Sequence, residues 1–222
     1  MATTYESLLP EIIPMVPGCP DTLIENSIRS AVIELCDKTE IYQQELDPVT
    51  TVANIYEYDL EAPSQTTVCK ILWVTHEGNE IEAITTALLE WRDSNYYGTP
   101  KYFVKQTSTT FWMVPVPSET KVSSTIVRAV LKPTHGSTAC DDDVMSDHRD
   151  TIVNGALFRL LRLPSKEWTD FAGAQVYAAL FNEGLVYAER KARQADVRVS
   201  RKVTYGGIHK PYRFTRNRYS RG

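Results

Sequence analysis

The apolar residues of this chain change their period twice, and that change constrains the fold more than any other feature. In "PDTLIENSIRSAVIELCDKTEIY", Leu23, Ile24, Ile28, Ala31, Val32 and Leu35 recur at spacings of three and four, which puts them on one helical face. Asp21 is the expected N-cap, since its carboxylate can accept from first-turn amides. Ahead of it, Pro10, Pro14, Pro17 and Gly18 leave room for one short helix over Tyr5–Ile13 and then a turn.

From about Glu40 the period falls towards two. "ANIYEYDL", "TVCKILWVTHEGNEIEAI", "KYFVKQTSTTFWMVPVP" and "STIVRAVLKP" are rich in Val, Ile, Thr, Tyr and Trp and are bounded by turn residues, as strands require. Glu77-Gly78-Asn79 is expected to close one hairpin and the polar Gln106–Thr109 region another. Pro115 and Pro117 cannot donate to a ladder, so a strand ends there or lies at an edge. "TTALLEWRD" predicts two helical turns before Tyr96-Tyr97-Gly98, and Trp73 and Trp112 read as sheet core.

Helical spacing then returns. After Asp141-Asp142-Asp143 a single helix is predicted, with Val144, His148, Ile152, Ala156, Leu160 and Leu163 on one stripe and Pro164 at its end. Ser165 is the expected cap of the next helix, with Trp168, Phe171, Ala172, Gln175 and Ala179 leading its apolar side towards Ala188. Lys191 and Arg193 at its far end suit the negative pole of a helix. The fold class expected from this order is α+β: an antiparallel helical bundle from 1–39 and 134–196, a β-rich insertion over 40–133, and an extended arm over 197–222.

Charge sets the arm apart. Residues 198–222 carry eight Lys or Arg and no Asp or Glu, which leaves 16 basic against 28 acidic groups, a net charge of −12, in residues 1–197. Two readings compete beside that of a merely solvated tail. Arginines with Tyr205, Tyr212, Phe214 and Tyr219 suit phosphates and unstacked bases, and the same residue types anchor protein interfaces. The alternation of Val197, Val199, Val203 and Tyr205, which lets the segment add to a sheet edge, favours protein docking, as does an acidic body that repels a duplex.

Candidate chemistry is sparse. Asp141, Asp142 and Asp143 read either as hard-cation ligands or as helix caps, and the helix dipole favours caps. An enzymatic site over Asp141–Asp150 would need a nucleophile and an orienting acid beside His148, and the sequence supplies no identifiable pair. His76, His135 and His209 are isolated, and phosphate-loop, dinucleotide and serine-hydrolase signatures are missing. The reading is a non-enzyme without a cofactor or metal. Cys19, Cys36, Cys69 and Cys140 lie far apart with no CxxC, so free thiols are expected, formed in a reducing intracellular setting. "MATTYESLLPEII" has no basic start leading into an apolar core, so no secretory signal is expected. No apolar run approaches the ~20 residues that span a bilayer.

The stretch "GTPKYFVKQTSTTFWMVPVPSETKVSSTIVRAVLKPT" resembles the β-segment of tailed-bacteriophage head-to-tail adaptor (connector) proteins. There a G-x-P…Y start leads to an aromatic strand ending in P-x-P and then to a strand closing in K-P; here the positions are Gly98, Pro100, Tyr102, Pro115, Pro117, Lys132 and Pro133. The first helix, the two last helices and the tail fit the same layout, so the resemblance covers most of the chain. It implies a structural virion protein of the neck, made in the host cytoplasm, with no enzymatic activity, no cofactor and no membrane. It further implies a dodecameric ring beneath the portal, a DNA channel through which duplex passes without specific binding, and a platform for a tail or nozzle protein. On that resemblance the portal-binding arm comprises Arg198, Arg201, Lys202, Tyr205, Lys210, Tyr212, Arg213, Phe214, Arg216, Arg218, Tyr219 and Arg221. Trp91, Tyr96 and Tyr97 are the candidate contacts to the tail or to neighbouring subunits. The alternative function is a nucleic-acid-binding accessory protein that uses the basic aromatic arm.

Overall fold

A computed structural model describes residues 2–85 and 96–194 of the chain. The expected "TTALLEWRD" turns beyond Thr85, with Trp91, and the whole arm from Arg198 lie outside the described residues. In chain order the strands and α-helices are β1 (Ala2–Thr4), α1 (Leu9–Ile12), α2 (Asp21–Thr39), β2 (Gln43–Glu45), β3 (Val49–Thr51), β4 (Glu57–Asp59), β5 (Thr66–His76), β6 (Asn79–Ala83), β7 (Tyr97–Gly98), β8 (Tyr102–Lys105), β9 (Thr110–Val114), β10 (Val116–Pro117), β11 (Lys121–Pro133), β12 (Ala139–Asp141), α3 (Asp142–Asp147), α4 (Arg149–Leu161) and α5 (Phe171–Gln194).

The periodic face of α2 is buried as its spacing requires: Ile24, Ile28, Ala31, Val32, Leu35 and Cys36 pack with Ile152, Ala156, Leu157 and Leu160 of α4 and with Phe181, Leu185 and Ala188 of α5. α4 can approach both neighbours because Gly155 has no side chain. A Cβ there would stand 2.7 Å from the Phe181 ring and 2.9 Å from Ala31. The N-terminus is drawn onto this layer by β1, which pairs antiparallel with β12, and by Tyr5, whose buried hydroxyl shares a 2.8 Å hydrogen bond with Ser137. Burial pushes the Tyr5 phenol up to about 12.

Eight strands form the largest element, a curled half-barrel in the order β2-β11-β5-β6-β8-β9-β4, with β3 also on β11. Neighbours run antiparallel except β6 and β8. The curl has a local cause. Against β11, the register of β5 skips Leu72 and Cys69, so β5 carries two extra residues. Each such bulge bends and twists a strand. It also resets the alternation, which is why Val68, Ile71 and Val74 share the buried face at spacings of three. They meet Phe111 and Met113 of β9 and Val127, Ala129 and Leu131 of β11 in a second apolar core inside the curl.

The expected helical bundle with a β-rich insertion is therefore corrected to a mixed α/β fold dominated by this sheet. Among the described residues there are five α-helices, and α1 and α3 span only four and six residues. In a bundle α2 would bury its face against helices alone. Here it also packs on β11: Lys132, on the back of the sheet, holds Asp37 of α2 at 2.7 Å, and Lys70 of β5 holds Glu40 at 2.8 Å. A 3.6-residue period reports that a face is buried and is silent about what buries it.

Smaller expectations divide. Both hairpins form as expected, with Glu77 and Gly78 at φ 52° and 78° in the first turn. β9 ends at Val114 before Pro115, and the next strand, β10, has only two residues. Asp21 lies inside the first turn of α2, and Pro20 occupies the cap position without a side-chain bond. The single helix after the aspartates is broken at His148, whose φ of −118° and ψ of 25° separate α3 from α4. Ser165 caps nothing; it sits in the left-handed region at φ 60°, and Asp170 accepts from Ala172 and Gly173 instead. α5 thus starts at Phe171, and its buried side is Ala174, Phe181, Leu185 and Ala188, while Phe171, Ala172, Gln175 and Ala179 are exposed. Trp73 and Trp112 are only half-buried, on the face opposite Val74, Phe111 and Met113, because two bulky neighbours in a strand point to opposite sides.

Candidate functional site

The three aspartates resolve into separate structural tasks. Asp141 is the cap of α3 and accepts from the amide of Asp143 at 3.1 Å, Asp142 takes a hydrogen bond from the Thr3 hydroxyl, and Asp143 is exposed. His148 is buried at the α3–α4 break, where its carbonyl accepts the first amide bond of α4 from Ile152. His76 is buried in the sheet with Nδ1 2.9 Å from the Thr125 hydroxyl; burial pulls its pKa below the ordinary imidazole value, with Lys121 acting in the same direction and Glu77 against it. Among the described residues no three His, Cys, Asp or Glu side chains converge to hold a metal ion, and all four cysteines are free thiols. No helix among them is long and apolar enough to cross a membrane.

What the structure does assemble are two surfaces. The first is the root of the arm. Near the end of α5, Ala192 and Gln43 of β2 line two adjoining polar clefts, one of about 250 Å³ with Ile41, Arg128, Asp143 and Asp147 along its walls. Lys191 pairs with Asp147 at 2.5 Å and its hydrogen bond holds that carboxyl below the usual range. Arg193 pairs with Glu189 one turn back. Of the two basic residues expected at the end of the helix, Lys191 thus ties α5 to α3, while Arg193 pairs within α5 itself.

The second surface is the rim of the sheet around β7 and β10, a parallel pair in which Val116 lies opposite Tyr97 and donates to the Tyr96 carbonyl at 3.0 Å. Tyr96 and Tyr97 are half-exposed, at 51% and 49%. The loop after β3 is tied to the same rim by Asn54, whose amide donates to the Pro117 carbonyl at 2.9 Å, and it adds the exposed side chains of Val52, Ile55 and Tyr56. Tyr56 stands edge-on to Trp112 at 5.2 Å. Sequence reasoning found the two tyrosines beside a turn but read Ala53–Tyr56 as the start of a strand; the strand begins only at Glu57, and Val52–Tyr56 is a loop, some forty residues earlier, brought to the rim by long-range pairing. The only local signal was an unusual density of apolar residues between turn formers in "VANIY". Trp91 and the arm residues from Arg198 to Arg221 lie outside the described residues.

The family model described as SU10 adaptor protein matches residues 3–204, nearly the whole chain. Among curated proteins no match is found.

Proposed function

Because this chain belongs to the SU10 adaptor protein family, we propose that it is a head-to-tail adaptor of the virion neck, docked under the portal and offering a platform to the tail. Subunits close into a ring, a dodecamer on this reading, by head-to-tail contacts between unlike faces. The rim of Tyr96, Tyr97 and the Val52–Tyr56 loop is the surface for a neighbour or a tail protein, because it groups exposed aromatic and aliphatic side chains. The ring extends the DNA channel, and the net charge of −12 in residues 1–197 keeps passing duplex from adhering to its wall. The chain is made in the host cytoplasm, acts without a cofactor and performs no reaction.

The observation that carries this reading is the family match across residues 3–204, joined to a C-terminal arm with eight basic and no acidic residues. The arm, Arg198–Gly222, is the hook on the portal. The test is a pull-down from nuclease-treated infected-cell lysate, comparing the full chain with residues 1–197. Recovery of a portal protein by the full chain alone is expected. Loss of every arm-dependent partner on nuclease treatment would replace the hook with a nucleic-acid-binding arm.

A further inference from the structure

We propose that the first stretch of the arm, Val197–Tyr205, lies as an added strand along the free edge of β2 in its own subunit, and is parked there until a partner draws it away. The docking stands on the structure of the single chain; its release onto a portal rests on the adaptor reading above.

The edge is ready for a strand. Leu46 donates to the Val127 carbonyl and Leu131 to the Tyr42 carbonyl, each at 2.8 Å, so Tyr42, Gln44 and Leu46 turn their backbone groups towards β11. The amide and carbonyl of Glu45, between them, point the other way. β2 is the end strand of the sheet and pairs with β11 alone among the described residues. An open edge of this kind invites pairing with whatever extended chain is nearest.

The nearest such chain is the arm. α5 ends at Gln194, Ala192 lines the same clefts as Gln43, and three residue steps, about 10 Å of extended backbone, lead from Gln194 to Val197. Attachment at that point gives the arm an effective concentration that a separate molecule does not match. Its sequence has the period of a strand: Val197, Val199, Val203 and Tyr205 fall on one side, interrupted by Arg201, and Arg198, Ser200, Lys202 and Thr204 fall on the other. Charge agrees as well, for Arg198 and Lys202, on the same side, would meet a border that exposes Asp47, Asp143 and Glu45, the last of these also facing Arg128 at 3.6 Å. The family match runs to residue 204 and so takes in this stretch apart from Tyr205, leaving out Gly206 onward. The segment therefore divides into a strand that completes the body and a distal part, beginning at Gly206-Gly207, that is free to reach a partner.

Disulfide trapping in the full chain tests this. Cys19 and Cys69, the two half-buried thiols, are replaced by Ser, leaving Cys36 and Cys140 in the core. Gln44→Cys is then combined in turn with a single Cys at each position from Val199 to Val203, and each protein is mildly oxidised and run without reductant. Cross-linking within one chain, confined to one or two adjacent positions, is the expected result. Dimers in place of internal links would hand the edge to a neighbour's arm and overturn the proposal, as would the lack of a link at every position. A second readout avoids new cysteines: in Val199→Pro/Arg201→Pro, which cannot complete a ladder, amide exchange at Glu45 should rise at least tenfold over the native chain. Unchanged exchange there means the edge carries no added strand. Neither measurement involves the portal, so a failed pull-down and a failed cross-link remain separate results.

Discussion

The helix layer and the curled sheet solve the same packing problem with different means. The helices are fixed by close approach and by side chains that reach between elements: Gly155 lets α4 sit against Ala31 and Phe181, and Arg159 of α4 joins Glu34 of α2 while its guanidinium lies 5.3 Å from the Phe181 ring. The sheet is fixed by register, and two bulges on β5 set both its curvature and which residues point inward. The helix layer fills its interior tightly but leaves Phe171, Val176, Leu180 and Tyr187 of α5 exposed, whereas the sheet presents the aromatic rim of Tyr96, Tyr97 and the Val52–Tyr56 loop. The two halves are nonetheless stitched together by Tyr42, which packs on both cores, and by the Asp37–Lys132 and Glu40–Lys70 pairs.

The largest effect should come from the sheet interior. Phe111→Ala empties a fully buried site and should cost about 3–5 kcal/mol, measured by denaturant unfolding. Because the halves are stitched, helical circular dichroism and tryptophan fluorescence should report one transition at a lower midpoint. Two separated transitions would show that the layers fold independently. Next, Gly155→Val forces a side chain between α2, α4 and α5 and should cost about 1–3 kcal/mol, with full recovery of the native midpoint excluded unless α4 is not in fact close-packed.

Acid should separate the layers more gently. His76 in the sheet has a folded pKa below its unfolded value near 6.5, so its contribution is present above that pH and is lost as pH falls through the folded value. Asp37 and Asp147 on the helix side are held low by hydrogen bonds from Lys132 and Lys191, so theirs persists until pH drops below the ordinary carboxylate value of about 3.9 and towards their folded values. Melting temperatures recorded from pH 7.5 to 3 should show an early decline that His76→Asn flattens and a later one that it leaves alone. The smallest effect on stability belongs to the rim: Tyr96→Ser/Tyr97→Ser should shift unfolding by no more than about 0.5 kcal/mol, while weakening ring assembly or tail attachment in sedimentation experiments. A large loss of stability would make the tyrosines structural instead.

The sequence made the elements legible and the architecture much less so. α2, the two hairpins and the stop at Val114 follow from local spacing and turn chemistry, which act over a few residues. Ser165 is the cap that local sequence offers, but Thr169 accepts from the Lys166 amide and donates to the Leu163 carbonyl, which folds residues 163–169 into turns and leaves Asp170 to cap α5. The tryptophans misled for a similar reason. Trp73 and Trp112 are the largest apolar side chains of their strands, but each strand could bury only one face, and Val74, Phe111 and Met113 took it.

The chain by itself determined where it is helical, where it is extended, where its basic charge is concentrated and which family it joins. Those properties are carried by residues near one another in sequence or by the order of the segments. Tertiary structure alone decided that α2 rests on the back of β11, that β5 gains two bulges, that Tyr96 and Tyr97 share a rim with Val52–Tyr56, and that Ala192 near the end of α5 shares a cleft with Gln43 of β2. Each of these depends on contacts between segments far apart in the chain, where packing volume and strand register choose among partners that look alike in local pattern.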